Sequence, residues 1–399
     1  MYSPSPYKIP IVDLRAQYRK LRPEILQAVD EVLETQQFIL GPAVQRFEEQ
    51  MASYFQCNFA LGVASGSDAL LLALMALDIG PGDGVLVPPF TFFSTVSSIT
   101  RLGAKPLFVD IDPESHLLAA GAVQSFIEEH CRLEDGCLIE PRSRLRIRAL
   151  LPVHLYGRCY GMAELAALAK KYHLPIVEDV AQACGARTVI AGQSRFAGAV
   201  GEVGCFSFFP SKNLGGYGDG GLVTTSEKRL GEKLKMLRMH GESTNYYHEV
   251  IGINSRLDSV QAAVLSVKLR YLEEWCEQRI QRAETYFRLF RESGLVGDKI
   301  LSVPATSTDK SHVFNNYVIR VQRRDELKQF LGGQGIQTEI YYPLPLHLQA
   351  CFASLGYGKG DFPQAELAAG QVLALPIYPE LKSSQQESVV GEINKFYRR

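Results

Sequence analysis

The chain has 399 residues, 46% of them hydrophobic and 21% charged, with a formal net charge of −1. That is the balance of a globular enzyme with room for one large domain and a smaller one, without the basic excess of a nucleic-acid binder. No apolar stretch is long enough to span a membrane, and the opening MYSPSPYKIPIVDL lacks the basic and apolar regions of a signal peptide, so a cytoplasmic protein is expected, with its eight scattered cysteines reduced.

From Arg22 to Tyr54 the spacing predicts two amphipathic helices broken at Gly41-Pro42. An alternation follows: a strand at Ala60 to Ala64, a helix from Asp68 to Leu77, a strand at Val85 to Val87, a helix from Ser94 to Leu102, and a strand from Pro106 to Val109. The basic run Pro141 to Arg148 is balanced by Glu128, Glu129, Glu134 and Asp135 and reads as a solvated surface segment. His130, Cys131 and Cys137 match no common metal-ligand spacing, so no metal is expected. The alternation resumes with a strand from Ala149 to Val153, a helix from Met162 to Tyr172, a strand at Pro175 to Glu178, and strands around Cys205 to Ser207 and Leu222 to Thr224. Strands alternating with helices imply an α/β fold with a mostly parallel central sheet flanked by helices. After Met239 the texture changes to a long helix from Ser259 past Tyr286, short strands at Tyr317 to Ile319 and Thr338 to Tyr341, and a C-terminal helix. Residues 1–250 are therefore expected to form the large domain and residues 251–399 a smaller α+β domain.

Four local features carry chemistry. At Ala64 to Leu70 a strand meets a helix, so the N–H groups of Gly66, Ser67 and Asp68 and the Ser67 hydroxyl could hold a phosphate; alone, the junction reads equally as a plain helix cap. Asp179, in the run Val177 to Gln182, ends a buried strand at the edge where open α/β sheets bind ligands, and could cap a helix or hold a cationic ring nitrogen. The run Pro88 to Phe93 offers an aromatic shelf or core filling. Lys212 sits where CFSFFPSK opens into the glycines of NLGGYGDGG, and a lysine held in a partly dry site becomes a nucleophilic amine. A phosphate cradle, an acid for a pyridinium nitrogen, an aromatic shelf and an imine-forming lysine together spell pyridoxal 5′-phosphate.

These residues resemble the DegT/StrS-type sugar-nucleotide aminotransferases, which have the aspartate aminotransferase-like fold (fold type I). The likeness runs from Ile11 to Leu14 and Phe38 to Pro42 through Ser65 to Leu70, Gly80 to Asp83, Phe108 to Asp112, Pro152 to Gly157, Glu178 to Gln182, the Lys212 run, Gly252 to Asp258 and Tyr342 to His347. The resemblance implies that Lys212 is the Schiff-base and proton-shuttling lysine and that Asp179 pairs with the pyridine nitrogen. It implies that Gln182 bonds the ring's phenolic oxygen, Phe92 stacks on the ring, and Gly66, Ser67 and Ser207 hold the phosphate. Asn254 matches an asparagine sent across a homodimer interface to the partner's phosphate, while Arg256 and His347 fall near the sugar-nucleotide pocket.

This sequence departs from the family pattern at Ser67, commonly threonine, at Cys184, where histidine is frequent, and over residues 131–146, which look like an extra hairpin. Relatives that dehydrate lack the lysine, so Lys212 favours amino transfer. The expected reaction moves an amino group from an amino acid, glutamate foremost, to a 3-keto or 4-keto nucleotide-linked sugar by a ping-pong mechanism. Other pyridoxal phosphate chemistry on the same fold, or a non-catalytic sugar-nucleotide-binding regulator, stands as the alternative.

Overall fold

The computed structural model describes residues 7–296, 300–305 and 310–398. Two helices open it, α1 (Leu14–Thr35) and α2 (Pro42–Phe55). Pro42 starts α2 at a position whose N–H would have no helical acceptor, so the predicted break costs no hydrogen bond. Then come β1 (Phe59–Val63), α3 (Gly66–Ala76), β2 (Asp83–Val87), α4 (Phe93–Arg101), β3 (Lys105–Phe108), α5 (Ala120–His130), β4 (Arg132–Glu134), β5 (Cys137–Glu140), β6 (Leu145–Leu150), α6 (Met162–Lys171) and β7 (Val177–Asp179). The hairpin β8 (Arg187–Ile190) and β9 (Gln193–Phe196) precedes β10 (Val203–Ser207), β11 (Gly221–Thr225) and α7 (Lys228–Leu237).

The central sheet runs β1-β11-β10-β7 and continues through parallel bridges at Leu150–Ile176 and Val153–Asp179 into β6-β2-β3. β2 lies parallel to β3 and β6, and β10 parallel to β7, while β11 runs antiparallel to both neighbours. Side chains alternate across it as the pleat requires. Leu61, Val63, Val85, Val87, Cys205 and Val223 enter one core layer, and Ala60, Leu86, Phe206 and Leu222 the other. α3 lies in the first layer, buried at every residue from Ala69 to Leu74, so its N-terminus is fixed by a helix apolar on all sides.

Residues 131–146 do form a hairpin, β4 with β5. The basic run after it is solvated from Pro141 to Arg144, but from Leu145 onward it is a strand. Leu145 and Ile147 are buried and begin β6 four residues before the predicted strand start, and Arg146 holds the buried Asp83 through Nε and Nη2 at 3.0 and 2.9 Å. The arginines between the apolar residues mask a period-2 pattern.

The remainder comprises a small hairpin, β12 (Glu242–Thr244) with β13 (Tyr247–His248), then α8 (Ser259–Leu269), α9 (Leu272–Ser293), β14 (Leu301–Ser302), β15 (Tyr317–Val321), α10 (Arg324–Gly333), α11 (Pro363–Gln371), β16 (Val372–Leu375) and α12 (Ser383–Tyr397). β14, β15 and β16 make an antiparallel sheet. The predicted helix past Tyr286 is thus two helices, separated where Arg270 and Tyr271 both reach Glu24 of α1, at 2.6 and 2.7 Å. The predicted strand Thr338 to Tyr341 reduces to one antiparallel bridge, Glu339 with Ala374, and the chain then turns toward the sheet edge described next. No helix among the described residues is long and apolar enough to cross a membrane.

Candidate active site

A cavity of about 430 Å³ opens at the C-terminal ends of the parallel strands, where α/β sheets place their ligand sites. Its wall takes Ser65, Gly66 and Ser67 after β1, Thr91 and Phe92 after β2, Asp179 from β7, Ser207 from β10 and Lys212 beyond it. Because β11 is reversed, the residues just before it, Asp219 and Gly220, lie at the same end.

Ser65 has extended backbone and its hydroxyl oxygen accepts the Asp68 N–H at 3.1 Å, capping α3. Its carbonyl accepts the Ala69 N–H, which leaves the N–H groups of Gly66 and Ser67 as the open donors of this helix end. Gly66 must be glycine, since a Cβ there would lie 2.7 Å from the Ser207 Cβ and fill the cradle. Ser67 Oγ and Ser94 Oγ are 2.6 Å apart on the wall. The Asp68 N–H is thus already committed. Its carboxylate accepts the Ser255 hydroxyl at 2.7 Å, so Asp68 anchors the segment that carries Asn254 and Arg256 and stands off the cavity wall.

Asp179 is 4% exposed. Its Oδ2 accepts the Thr95 hydroxyl at 2.8 Å and its Oδ1 the Ala181 N–H at 3.1 Å. Burial raises its pKa above the ordinary carboxylate value, against the lowering pull of those two donors and of Lys212. Lys212 shows the complement: burial pulls its ammonium down to about 8, opposed by the Asp179 charge. Gln182 is oriented from both ends, its Oε1 accepting the Tyr156 N–H at 2.7 Å and its Nε2 donating to the Tyr342 hydroxyl at 3.1 Å. The Phe92 ring is 55% exposed and lies 5.9 Å from that of Tyr342.

The structure therefore gathers Gly66, Ser67, Phe92, Asp179, Gln182, Ser207 and Lys212 on one wall. It does not bring Asn254, Arg256 or His347 there. Asn254 is exposed and Arg256 half-buried. His347 is 1% exposed, bonds Glu366 at 3.1 Å and packs on Phe362, which leaves it inside the core. Cys184 is likewise a core residue, with its carbonyl 3.8 Å from the Cys276 thiol.

Patterning does not single out Thr95, Asn315, Tyr341 or Tyr342, the last three also on the wall. Thr95 has one signal, its place three residues past Phe92, one turn along α4. Glu178, beside Asp179, is fully buried and accepts the N–H groups of Gly198, Val200 and Gly201 at 2.9, 2.8 and 2.7 Å and His154 Nε2 at 2.8 Å. Burial alone would raise its pKa, but His154 and the backbone donors outweigh that and hold it below the ordinary value. Glu178→Gln turns an amide NH₂ toward these donors and is expected to destabilise the protein by about 3–5 kcal/mol, read as a lowered thermal midpoint. A midpoint equal to the parent's would contradict this role.

A family model described as the DegT/DnrJ/EryC1/StrS aminotransferase family matches residues 19–394. A Geobacillus stearothermophilus protein named "pleiotropic regulatory protein" is 46% identical over 390 residues, covering 98% of this chain and 99% of the relative. The dTDP-3-amino-3,4,6-trideoxy-alpha-D-glucose transaminase of Streptomyces venezuelae is 41% identical, covering 98% and 97%. The crystal structure of S. venezuelae DesV in complex with a ketimine intermediate matches with a TM-score of 0.88 at 40% identity, covering 98% of this chain and 99% of that one.

Proposed function

The chain belongs to the DegT/DnrJ/EryC1/StrS aminotransferase family, and from that membership we propose that it moves an amino group from glutamate to a 3-keto nucleotide-linked sugar in two half-reactions. The observation that carries the reading is the pairing, on one wall, of a lysine whose ammonium is pulled down to about 8 with a buried carboxylate. The S. venezuelae transaminase, whose printed name places the nitrogen at C3, supports the choice of carbon.

The cofactor is pyridoxal 5′-phosphate, and the residues present fit it. Asp179 is a buried carboxylate with no ion-pair partner within 4 Å among the described residues, which a protonated ring nitrogen would supply. The glycine cradle and the two open N–H groups at the start of α3 suit a phosphate. When bound, the cofactor supplies a carbonyl that accepts the donor's amine and a ring that takes up the electrons left when the α-proton departs.

The chain's own residues do the rest. Thr95 and the Ala181 N–H would keep the Asp179 carboxylate aimed toward the ring nitrogen and favour its ionised form. The NH₂ of Gln182, its Oε1 fixed by the Tyr156 N–H, would donate to the ring's phenolic oxygen. Phe92 would cover one ring face, and Gly66, Ser67 and Ser207 would hold the phosphate. Lys212, neutral above about pH 8, would take the proton from the carbon bearing the donor nitrogen and return it on the other side of the transfer. We take residues 1–250 as the cofactor-holding unit and 251–399 as the smaller one that closes the cavity through Asn315, Tyr341 and Tyr342. Tyr246, Tyr247 and Ile251 are 90%, 73% and 92% exposed beside the exposed Asn254. A second copy covers this face and receives Asn254 at its phosphate.

Glutamate added to the holoenzyme is expected to convert the cofactor absorbance to the pyridoxamine form with release of 2-oxoglutarate, and a 3-keto nucleotide sugar to reverse it. If glutamate and glutamine both leave the absorbance unchanged, the reading fails. The name of the Geobacillus relative, a regulatory protein, favours one second reading, a non-catalytic regulator; a holoenzyme that binds the nucleotide sugar but performs neither half-reaction would establish it.

A further inference from the structure

A second cavity, of about 500 Å³, is lined by Asp112–His116 after β3, by Arg158 and Tyr160, by Ser302–Ala305 and by Val318 and Arg320 of β15. It shares no described wall residue with the first. An aromatic layer separates the two: the His116 ring lies 6.1 Å from Phe90 and 6.0 Å from Tyr156, and Phe90 in turn lies 6.3 Å from Tyr342.

The lining sets Arg158 and Arg320 against the carboxylates of Asp112 and Glu114, and its buried donors are incompletely paired. Arg158 is 4% exposed, and its Nη1 donates to the carbonyls of Glu114 and Ser115 at 3.2 and 2.5 Å, leaving the rest of the guanidinium uncommitted. Arg320 donates to the Pro113 carbonyl through Nη1, while its Nε is buried without a partner. His116 is 4% exposed and neither ring nitrogen has a partner. Burial, followed by the Arg158 and Arg320 charges, lowers this imidazole to about 3, so it is neutral and presents one N–H. The Asp112 carboxylate balances one of the two arginine charges but is aimed at the backbone, its Oδ1 accepting the N–H groups of Glu114 and Ser115 and the Ser115 hydroxyl, at 3.1, 2.7 and 2.8 Å. Glu114 is exposed at the rim. Buried donors in native proteins are nearly always paired, and forked guanidiniums match carboxylate and phosphate oxygens.

We propose that this cavity binds a small molecule through an oxyanion group, a carboxylate or a phosphate, received by Arg158 and Arg320 with the His116 N–H as a third donor. The inference is independent of the reaction assigned to the first cavity.

Calorimetric titration of the holoenzyme with inorganic phosphate, and separately with malonate, tests it. Phosphate alone binding identifies a phosphoryl group as the preferred occupant, and malonate alone a carboxylate. Saturable binding of at least one anion is expected, weakened about tenfold or more by Arg320→Gln and by Ala305→Glu. The second variant puts a carboxylate at an exposed rim position and leaves the buried groups untouched, so its thermal midpoint should match the parent's. Absence of saturable binding by both anions, or equal affinity in the parent and in Ala305→Glu, overturns the proposal.

Discussion

Lys212→Ala is expected to lower the glutamate half-reaction by at least about 10²–10⁴-fold and to leave no cofactor fixed to the chain after borohydride reduction, as read by peptide mass. The fold should survive, because the hydrogen bond that shapes this turn comes from the Lys212 backbone N–H to the Phe209 carbonyl, at 2.9 Å. Lys212→Arg should not restore activity, since a guanidinium stays protonated and cannot accept the proton. The sign of the pH dependence follows from burial. The ammonium is pulled down from 10.5 to about 8, so the neutral amine grows in as pH rises through about 8. The rate at which apoprotein captures pyridoxal phosphate should rise through that midpoint. A midpoint at the ordinary lysine value would mean that the amine is not enclosed.

Asp179→Asn separates binding from folding. The asparagine oxygen can still accept from Thr95, but no charge remains to hold a protonated ring nitrogen, and amino transfer should fall by about 10²–10³-fold with weaker cofactor binding. Apoprotein stability should change little, because removing a buried charge with no ion-pair partner among the described residues offsets the acceptor lost to the Ala181 N–H. A variant that melts well below the parent yet keeps its activity would make Asp179 a structural cap. Calorimetry on apoprotein and spectrophotometric cofactor titration give the two readings.

The sequence made the parallel sheet legible because its strands are short apolar runs between turn residues, as in Val85 to Val87. It hid the start of β6, where arginines alternate with Leu145 and Ile147, and the break after Leu269, which depends on the distant Glu24. The cofactor wall could be read where one residue type is chemically required, as at Gly66 and Lys212. It could not be read where a residue acts through a partner remote in sequence. Thr95 meets Asp179 84 positions away, and Asp68 meets Ser255 across 187, so neither contact leaves a local pattern. His347 shows the converse, a motif position that the packing of Phe362 and Glu366 keeps off the wall.

The reversal of β11 has an evolutionary consequence. Ser207 and Gly221 face each other as register partners, so the segment carrying Lys212 leaves and re-enters the sheet at one point. Within it a Cβ on Gly215 would meet the Pro210 carbonyl oxygen at 2.3 Å, and one on Gly216 would meet Gln261 at 2.8 Å, which leaves no slack to absorb an extra residue. An insertion or deletion there would have to be taken up by the β10–β11 register, and a one-residue slip turns a whole strand inside out. The segment is therefore expected to tolerate a changed side chain better than a changed length.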